Sequence, residues 1–334
     1  MILAVDGGNS KADVALVGAD GTLLAAVRGP TISHQAVPLD EAVRRLAEMV
    51  ASARALAGPI GEPPSHAIYC LAGADYPSDV RLLRSAFEKA VPAGDSVVQN
   101  DTFAALRAGS TRSWGIALIC GEGINAAAVA PNGRHVRFAG VGDISGDWGG
   151  GVSVGPAGLG AAVRARDGRG PRTELERTIP AAVGLRRPDD VTRAYYEGRL
   201  DEARISDLTP VVFATAAGGD PVARAIVDRL ADELAVMAVA LARRTAMIRR
   251  DPDLVLAGGV FRTDDAAFHA GLTERLLASI PNARIVRLAA PPVLGAALIG
   301  LDRLHGGFSD PAIQANLRLA IEAWSATPRV VTSS

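Results

Sequence analysis

The chain has 334 residues, 49% of them apolar, and a formal net charge of −1 at pH 7. This length exceeds what one hydrophobic core usually supports, so the sequence predicts two domains. Aromatic residues make up only 4% of the chain, which suits close-packed α/β layers better than a β-sandwich. Because acidic and basic residues are interspersed, we expect neither nucleic acid nor a membrane surface as a partner.

The first residues and the cysteines indicate a cytoplasmic protein. After Met1, only the four apolar residues 2–5 precede Asp6, too few for a secretory signal, and no apolar run is long enough for a spanning helix. Cys70 and Cys120 each end an apolar run, which is typical of buried free thiols in a reducing compartment. The five histidines lack metal-ligand spacing, so we expect no structural zinc.

The first half of the chain predicts a mixed sheet. Three short apolar runs predict a β-meander, at residues 2–5, 12–17 and 22–27. Asp40 is the expected cap of a helix over residues 40–57. Two buried strands, AIYCLAG and SVVQND, then flank a helix near residues 79–90, and this alternation indicates a parallel part of the sheet.

The second half repeats the meander about 115 residues later, which indicates an internal duplication. The repeated strands are predicted at residues 114–120, 125–130 and 134–138. Further on, Asp220 is the expected cap of a long helix, and DLVLAGG is a buried strand that ends on glycines. Residues 291–301 and 311–324 have helical spacing, whereas the arginine-rich segment 164–210 gives no clear pattern.

The first candidate motif is Asp6-Gly7-Gly8-Asn9-Ser10-Lys11, in the bend between the first two strands. Glycines let backbone N–H groups approach an anion closely, and a carboxylate at a strand end can hold Mg²⁺ through water. The motif can therefore be interpreted either as a phosphate loop or as a simple hairpin turn.

The second motif, Gly121-Glu122-Gly123-Ile124-Asn125-Ala126, formally satisfies the relaxed dinucleotide fingerprint G-x-G-x-x-A after a strand. That fingerprint must open a helix, yet the turn residues Asn132-Gly133 arrive seven residues after Asn125. A hairpin fits better, so we do not expect a nicotinamide cofactor. Within a duplicated meander, these glycines are interpreted as a second phosphate loop.

Asn100 and Asp101 end the strand SVVQND. A carboxylate at this point could accept the proton of a hydroxyl group that attacks phosphorus. The same residues, followed by Thr102, are also a normal cap for a helix over FAALRAG, and local sequence favours the cap.

Two glycine-rich segments complete the candidates. GDWGGG, residues 146–151, holds Asp147 in a stretch that can either wrap a polyhydroxylated ligand or form a surface loop. Gly258 and Gly259 end a buried strand, where an adenine ring can lie against the backbone, although strands often end on glycine for structural reasons. The chain contains neither a G-x-x-x-x-G-K-[ST] loop nor a G-x-S-x-G elbow, which excludes P-loop NTPases and the commonest serine hydrolases.

Taken together and in this order, DGGNSK, QNDTFAAL, GEGIN, GDWGGG and LAGGVF resemble the actin/hexokinase/heat-shock-chaperone ATPase superfamily. Within it they resemble the BadF/BadG/BcrA/BcrD ATPase family, which includes N-acetylglucosamine kinases. The resemblance covers essentially the whole chain and implies an α/β fold of two ribonuclease-H-like lobes, each a mixed sheet flanked by helices, with an interlobe cleft for ATP and sugar. We expect residues 1–112 and 307–334 in the first lobe and residues 113–306 in the second.

The resemblance also implies roles for individual residues. Phosphate and nucleotide contacts fall on Asp6, Gly7, Gly8, Asn9, Ser10, Lys11, Gly121, Glu122, Gly123, Gly258 and Gly259. Asp6 would hold Mg²⁺ through water, and Asp101 matches the catalytic aspartate that deprotonates the sugar hydroxyl, by resemblance O6. Sugar contacts fall on Ser33, His34, Gln35, Gly73, Asp75, Asn100, Asn125 and Asp147.

Two departures from the family pattern concern the substrate. Ser33 stands where family kinases have the Asn of an Asn-His pair, which leaves His34 as the firmer match. Glu122 stands between the glycines of the second loop, where Thr or Ser is usual. A carboxylate beside ATP phosphates is repulsive unless it faces Mg²⁺, a lysine or a cationic substrate. Our hypothesis is that Glu122 points at the sugar's 2-substituent and favours a free amine, as in glucosamine, over an acetamide.

The expected function is therefore phosphorylation of an amino sugar, N-acetylglucosamine or glucosamine, with ATP and Mg²⁺. A non-catalytic sugar sensor is the main alternative, although Asp101 has little use in a pure binder. Some relatives are ATPase activators of CoA dehydratases with a cysteine-bound iron–sulfur cluster, but Cys70 and Cys120 lie at strand ends facing the expected cleft. A homodimer is common among relatives, and nothing in the sequence marks an interface.

Overall fold

The computed structural model describes residues 1–59 and 61–327. Ten strands and twelve α-helices lie in the described part of the chain. The strands are β1 (Ile2–Gly7), β2 (Lys11–Val17), β3 (Leu23–Pro30), β4 (His66–Leu71), β5 (Asp95–Asn100), β6 (Gly115–Cys120), β7 (Ile124–Val129), β8 (His135–Arg137), β9 (Asp253–Ala257) and β10 (Arg284–Arg287). The helices are α1 (Leu39–Ala57), α2 (Pro77–Ala90), α3 (Thr102–Gly109), α4 (Gly151–Arg166), α5 (Leu175–Ala182), α6 (Pro188–Tyr196), α7 (Glu202–Ser206), α8 (Thr209–Ala217), α9 (Pro221–Arg244), α10 (Ala266–Ser279), α11 (Val293–Leu304) and α12 (Pro311–Ala326).

The chain divides into two compact units. The first comprises residues 1–115 and the chain from residue 288 onward, and the second comprises residues 116–287. Residues 288–306, which we expected in the second lobe, belong to the first unit because α11 packs against β1, β4 and α3 there. Residues 328–334 of the predicted first lobe lie outside the described residues.

The first unit is built on a mixed sheet in the order β3-β2-β1-β4-β5. β1 pairs antiparallel with β2, and β2 pairs antiparallel with β3, which confirms the predicted meander. β1, β4 and β5 run parallel, as the strand–helix alternation predicts. α1 begins one residue before Asp40, so Asp40 lies in the first helical turn, where a carboxylate favours the helix dipole, and Pro38 occupies the cap position.

The central strand β1 is buried on both faces. Leu3 and Val5 pack on the side of α1 and α2, whereas Ile2 and Ala4 pack on the side of α3, α11 and α12. On this second side, α3 and α11 approach so closely that a Cβ atom at Gly295 would lie 1.8 Å from the carbonyl oxygen of Ala104. A glycine is required there because any side chain would separate the two helices.

A buried arginine fastens α3 to α11. Arg107 is 6% exposed and donates two hydrogen bonds to Asp302, from Nε at 2.7 Å and from Nη2 at 3.0 Å. Its guanidinium carbon lies 4.2 Å from the centre of the Phe308 ring. Asp302 also accepts from the backbone N–H and the hydroxyl of Ser309, so the carboxylate is well satisfied.

The second unit repeats the strand order of the first. Its sheet has the order β10-β9-β6-β7-β8. The consecutive strands β6, β7 and β8 correspond to β1, β2 and β3, and β9 and β10 follow on the other side of β6 as β4 and β5 do beside β1. The predicted repetition of the strand pattern is thus confirmed. Residues 164–210, which gave no clear sequence pattern, form the end of α4, the helices α5 to α7 and the start of α8. Among the described residues, no helix combines the length and apolar character needed to cross a membrane.

The Arg107–Asp302 pair gives a stability prediction. Replacing Arg107 with Met should lower the free energy of unfolding by about 3 kcal/mol, because Asp302 loses its buried partner. The matched control is Arg303→Met, which removes the half-exposed ion pair between Arg303 and Asp95 and should cost less than about 1 kcal/mol. Urea unfolding followed by circular dichroism measures both, and equal losses would contradict the prediction.

Candidate active site

The first glycine motif forms a tight bend between β1 and β2. The N–H of Gly8 donates to the carbonyl oxygen of Lys11 at 3.0 Å, which closes the hairpin. A Cβ atom at Gly7 would lie 2.7 Å from Leu71 Cδ2, so packing against β4 requires this glycine. Asn9, Ser10 and Lys11 are exposed at the tip. The segment is thus a hairpin turn whose exposed tip follows directly on the carboxylate of Asp6.

Asp6 belongs to a row of charged residues across three strands. It lies opposite Asp13 on β2, and Asp13 lies opposite Arg28 on β3. Arg28 donates to both carboxylate oxygens of Asp13, at 2.6 and 2.8 Å. Burial, together with the nearby charges of Asp101 and Asp13, raises the pKa of Asp6 well above its usual value, although Lys11 and Arg28 oppose this.

Sequence reasoning missed Asp13 and Arg28. Asp13 is 1% exposed and interrupts the apolar run of β2, which is itself a signal, because a buried carboxylate needs a partner. Its partner Arg28 could not be found by counting from the predicted turn, because the register of β2 with β3 shifts between Leu16 and Val17, and an unshifted count pairs Asp13 with Val27.

The carboxylates at this strand end suit a hard divalent cation. Asp6 and Asp101 offer oxygen ligands, which Mg²⁺ prefers. Their mutual repulsion, visible in the raised pKa of Asp6, is what a bound cation would relieve. The residues present therefore fit the metal that the sequence suggested for Asp6.

The segment after β3 brings the predicted sugar residues of this unit together. Ser33 is 2% exposed, and its carbonyl oxygen accepts from the N–H groups of Ala36 and Val37. The ring of His34 packs on Gly73, where a Cβ atom would lie 2.8 Å from His34 Cε1 and where φ is +82°. His34 Nδ1 is buried and has no hydrogen-bond partner among the described residues.

Asp75 connects this segment to the end of β5. Its Oδ2 atom accepts from Gln35 Nε2, and its Oδ1 atom accepts from Asn100 Nδ2, each at 3.0 Å. Asn100 Oδ1 in turn accepts from the backbone N–H and the hydroxyl of Thr102, at 3.1 and 2.7 Å. Gln35, Asp75 and Asn100 are therefore neighbours in a single hydrogen-bonded chain.

The cap of α3 is divided between two residues. Asp101 occupies the cap position by its backbone, but its side chain makes no capping hydrogen bond. Asn100 supplies the side-chain oxygen instead. The capping interpretation is thus correct for Asn100 and wrong for the carboxylate of Asp101, which stands beside Asp6 at the same edge of the sheet.

In the second unit, the second glycine motif is also a bend between strands. The N–H of Gly121 donates to the carbonyl oxygen of Gly123 at 2.9 Å, and β7 follows at once. A dinucleotide fingerprint requires a helix at this point, so the strand excludes that interpretation. The side chain of Glu122 is exposed at the bend.

The GDWGGG segment leads into α4 and holds the second bend. The N–H groups of Gly151 and Val152 donate to the carbonyl oxygens of Gly121 and Glu122, both at 2.9 Å. Gly150 has φ of +72°, and a Cβ atom there would lie 2.5 Å from the carbonyl oxygen of Glu122. The first turn of α4 therefore fixes the backbone of the second glycine motif.

The predicted adenosine motif lies beside the same bend. Gly258 has φ of +110°, and a Cβ atom there would lie 2.2 Å from the carbonyl oxygen of Cys120. A Cβ atom at Gly121 would lie 4.0 Å from the N–H nitrogen of Gly259. Burial raises the pKa of the Cys120 thiol to about 12, so it stays neutral at physiological pH.

The predicted sugar residues of the second unit make local contacts. Asn125 packs on Gly140, where a Cβ atom would lie 2.5 Å from Asn125 Nδ2. The carboxylate of Asp147 accepts a short hydrogen bond from Ser145, and its N–H donates to the carbonyl oxygen of Gly142 at 3.1 Å. Asn125, on β7, is thus packed against the segment after β8, whereas Asp147 is held within its own loop.

Comparison with known proteins agrees with this fold. A proposed N-acetylglucosamine kinase from Chromobacterium violaceum has a solved structure with a TM-score of 0.68 and 24% identity, over 89% of this chain and 98% of that one. The chain thus shares the fold of that structure, with two mixed five-strand sheets flanked by helices.

Sequence comparison then gives the family. The chain matches the BadF/BadG/BcrA/BcrD ATPase family over residues 3–300 and belongs to that family. It is 27% identical to the N-acetylmuramic acid/N-acetylglucosamine kinase of Clostridium acetobutylicum, over 89% of this chain and 97% of that one. It is 24% identical to the N-acetyl-D-glucosamine kinase of Dictyostelium discoideum, over 90% and 98%.

The two neighbouring glycines of the adenosine motif give a second prediction. Gly258→Ala should lower the free energy of unfolding by at least about 2 kcal/mol, because the new Cβ atom meets a backbone carbonyl in a strained conformation. Gly259→Ala is the matched control, since a Cβ atom there meets nothing within 4 Å, and should change it by less than about 1 kcal/mol. Urea unfolding compares the two variants, and equal unfolding midpoints would contradict the prediction that only Gly258 needs to be glycine.

Proposed function

We propose that this protein is an ATP-dependent kinase that phosphorylates an amino sugar, N-acetylglucosamine or glucosamine, at O6. The observation that carries the proposal is the carboxylate of Asp101, which stands at a strand end beside Asp6 while Asn100 caps the helix in its place. The family is an ATPase family, and two relatives along nearly the whole chain are named as kinases of N-acetylated amino sugars.

In the proposed mechanism Asp101 is the general base. Its carboxylate accepts the proton of the sugar O6 as this oxygen bonds to the γ-phosphorus of ATP and the bond to the β,γ-bridging oxygen breaks, so that ADP leaves. The unpaired Nδ1 atom of His34 is available to a sugar hydroxyl, and its ring is held in place by Gly73. Orientation of the hydroxyl supplies much of the rate, since no covalent protein intermediate is needed.

Charge stabilisation falls to the glycine bends. The exposed residues Asn9, Ser10 and Lys11 offer backbone N–H groups and one ammonium to phosphate oxygens, and the second bend offers the amides of Glu122 and Gly123. Gly258 and Gly259 leave room for the adenosine. Mg²⁺ held by Asp6, directly or through water, would neutralise phosphate charge when bound. Asn125 and Asp147 are assigned to the sugar hydroxyls in this proposal.

The first test is a substrate panel with a base variant. ADP release and sugar phosphate would be measured with N-acetylglucosamine, glucosamine, N-acetylmuramic acid, N-acetylmannosamine, glucose and no sugar. We expect turnover with an amino sugar and a loss of at least about 100-fold in kcat for Asp101→Asn, because the base is removed. Asp40→Asn, which neutralises an exposed carboxylate on α1, is the control and should retain full activity.

The panel also distinguishes the alternatives. Sugar binding by calorimetry without ADP release would support a sensor and contradict the kinase. An unchanged kcat in Asp101→Asn would remove that residue from the mechanism even if the wild-type protein phosphorylates the sugar.

The exposed carboxylate of Glu122 gives a further prediction. If it faces the 2-substituent of the sugar, both Glu122→Thr and the similarly sized Glu122→Gln should shift the ratio of kcat/KM for glucosamine over N-acetylglucosamine about tenfold toward the acetylated sugar. Both variants remove the charge, and only Thr also changes the size of the side chain. An unchanged ratio in both variants would exclude the hypothesis.

A further inference from the structure

The chain of hydrogen bonds through Asp75 fixes the direction of every bond in it. The Asp75 carboxylate only accepts, and it accepts from two amide nitrogens, those of Gln35 and Asn100. Asn100 must therefore turn its nitrogen toward Asp75 and its oxygen toward Thr102, where both donors of Thr102 meet it. The orientation of the Asn100 amide is thus determined by its partners on both sides.

Burial shows that the Asn100 end of this hydrogen-bond chain is part of the protein framework, whereas Asp75 is half-buried and Gln35 is exposed. Asn100 is 3% exposed and Thr102 is 1% exposed, so neither presents much surface to a ligand. Three hydrogen bonds occupy the two polar atoms of the Asn100 amide. This differs from the sequence-based expectation, in which Asn100 and Asp75 contact the sugar directly.

We propose that Asp75 and Asn100 are positioning residues, which hold Asp101 and the sugar-binding segment in register within the first unit. The inference rests on the proposed function, since it concerns the same reaction. Asp101 lies between Asn100 and Thr102, and both are held by this chain of bonds. At its other end, this chain of hydrogen bonds holds Gln35, which is next to His34.

One carboxylate thus sets two parts of the site at once. If Asp75 releases Asn100, the start of α3 loses its side-chain cap and the direction of the Asp101 carboxylate is no longer fixed. A displacement of the catalytic base by about 1 Å lowers the rate on the order of 100-fold. Binding of ATP does not depend on this chain, so the effect falls on kcat and on the sugar.

The test exchanges the carboxylate and the amide between positions 75 and 100. Asn100→Asp alone brings two carboxylates face to face at the 3.0 Å contact and should reduce kcat about 100-fold while KM for ATP stays nearly unchanged. In the double variant Asp75→Asn with Asn100→Asp, the new amide at position 75 donates to the new carboxylate at position 100. That carboxylate still accepts both bonds from Thr102, and Gln35 still donates to the amide oxygen at position 75.

The double variant therefore keeps every hydrogen bond between positions 35, 75, 100 and 102 but has no amide at position 100. We expect the kcat of the double variant to return to within about threefold of wild type, and its unfolding midpoint to return as well. Asp75→Asn alone should be milder than Asn100→Asp, because the exposed amide of Gln35 can turn over and accept from the new nitrogen.

Two results would overturn the proposal. If the unfolding midpoint recovers in the double variant while kcat stays low, the amide of Asn100 contacts the sugar. If neither recovers, Asp75 and Asn100 do not act as a pair. If the wild-type protein phosphorylates no sugar of the panel, the proposed function fails. The unfolding midpoint of the double variant, measured without substrate, still decides whether Asp75 and Asn100 act as a pair.

Discussion

The first unit depends on the burial of β1 on both faces. A strand between two apolar layers cannot hold a charge in its interior, so the first polar side chain, Asp6, comes where the strand leaves the layers. The parallel strands β4 and β5 end at the same edge of the sheet, and Asp101 follows the second of them. The convergence of carboxylates is thus a consequence of sheet order and of where each strand emerges.

Such a convergence is costly unless something offsets the charge. The bidentate Arg28–Asp13 pair does not offset it, because the charge of Asp13 raises the pKa of Asp6 more than the charge of Arg28 lowers it. The edge of the sheet is left with a surplus of negative charge. A surplus of this kind destabilises the unliganded fold slightly and is released when a cation or a proton arrives, which is a common property of catalytic sites.

The sequence predicted the elements better than the contacts between them. Strands such as β1 and β6 are recognised by their apolar runs, and the two glycine bends by composition, because these signals are local. The division of the cap between Asn100 and Asp101 could not be predicted, since it depends on Asp75, which is 25 residues away along the chain. Residues 288–306 were assigned to the wrong unit because helical periodicity shows which face is apolar, and not which sheet covers it.

The segment 164–210 illustrates a different limit. Its helices α5 to α7 are five to nine residues long, too short for a period of 3.6 to be distinct among so many arginines and prolines. Their stability comes from packing against α4 and α8. Sequence reasoning that examines one segment at a time has no access to that contribution.

The two units share a strand order and differ in the chemistry at equivalent points. Asp6 is the penultimate residue of β1 and precedes Gly7, and Cys120 is the last residue of β6 and precedes Gly121. Burial raises both pKa values, and a neutral thiol with a pKa of about 12 brings no charge to its bend. The second bend is instead tied by its carbonyl groups to the first turn of α4, which makes it a rigid backbone element. The first bend thus follows a buried carboxylate, whereas the second is a glycine bend whose backbone is held by α4.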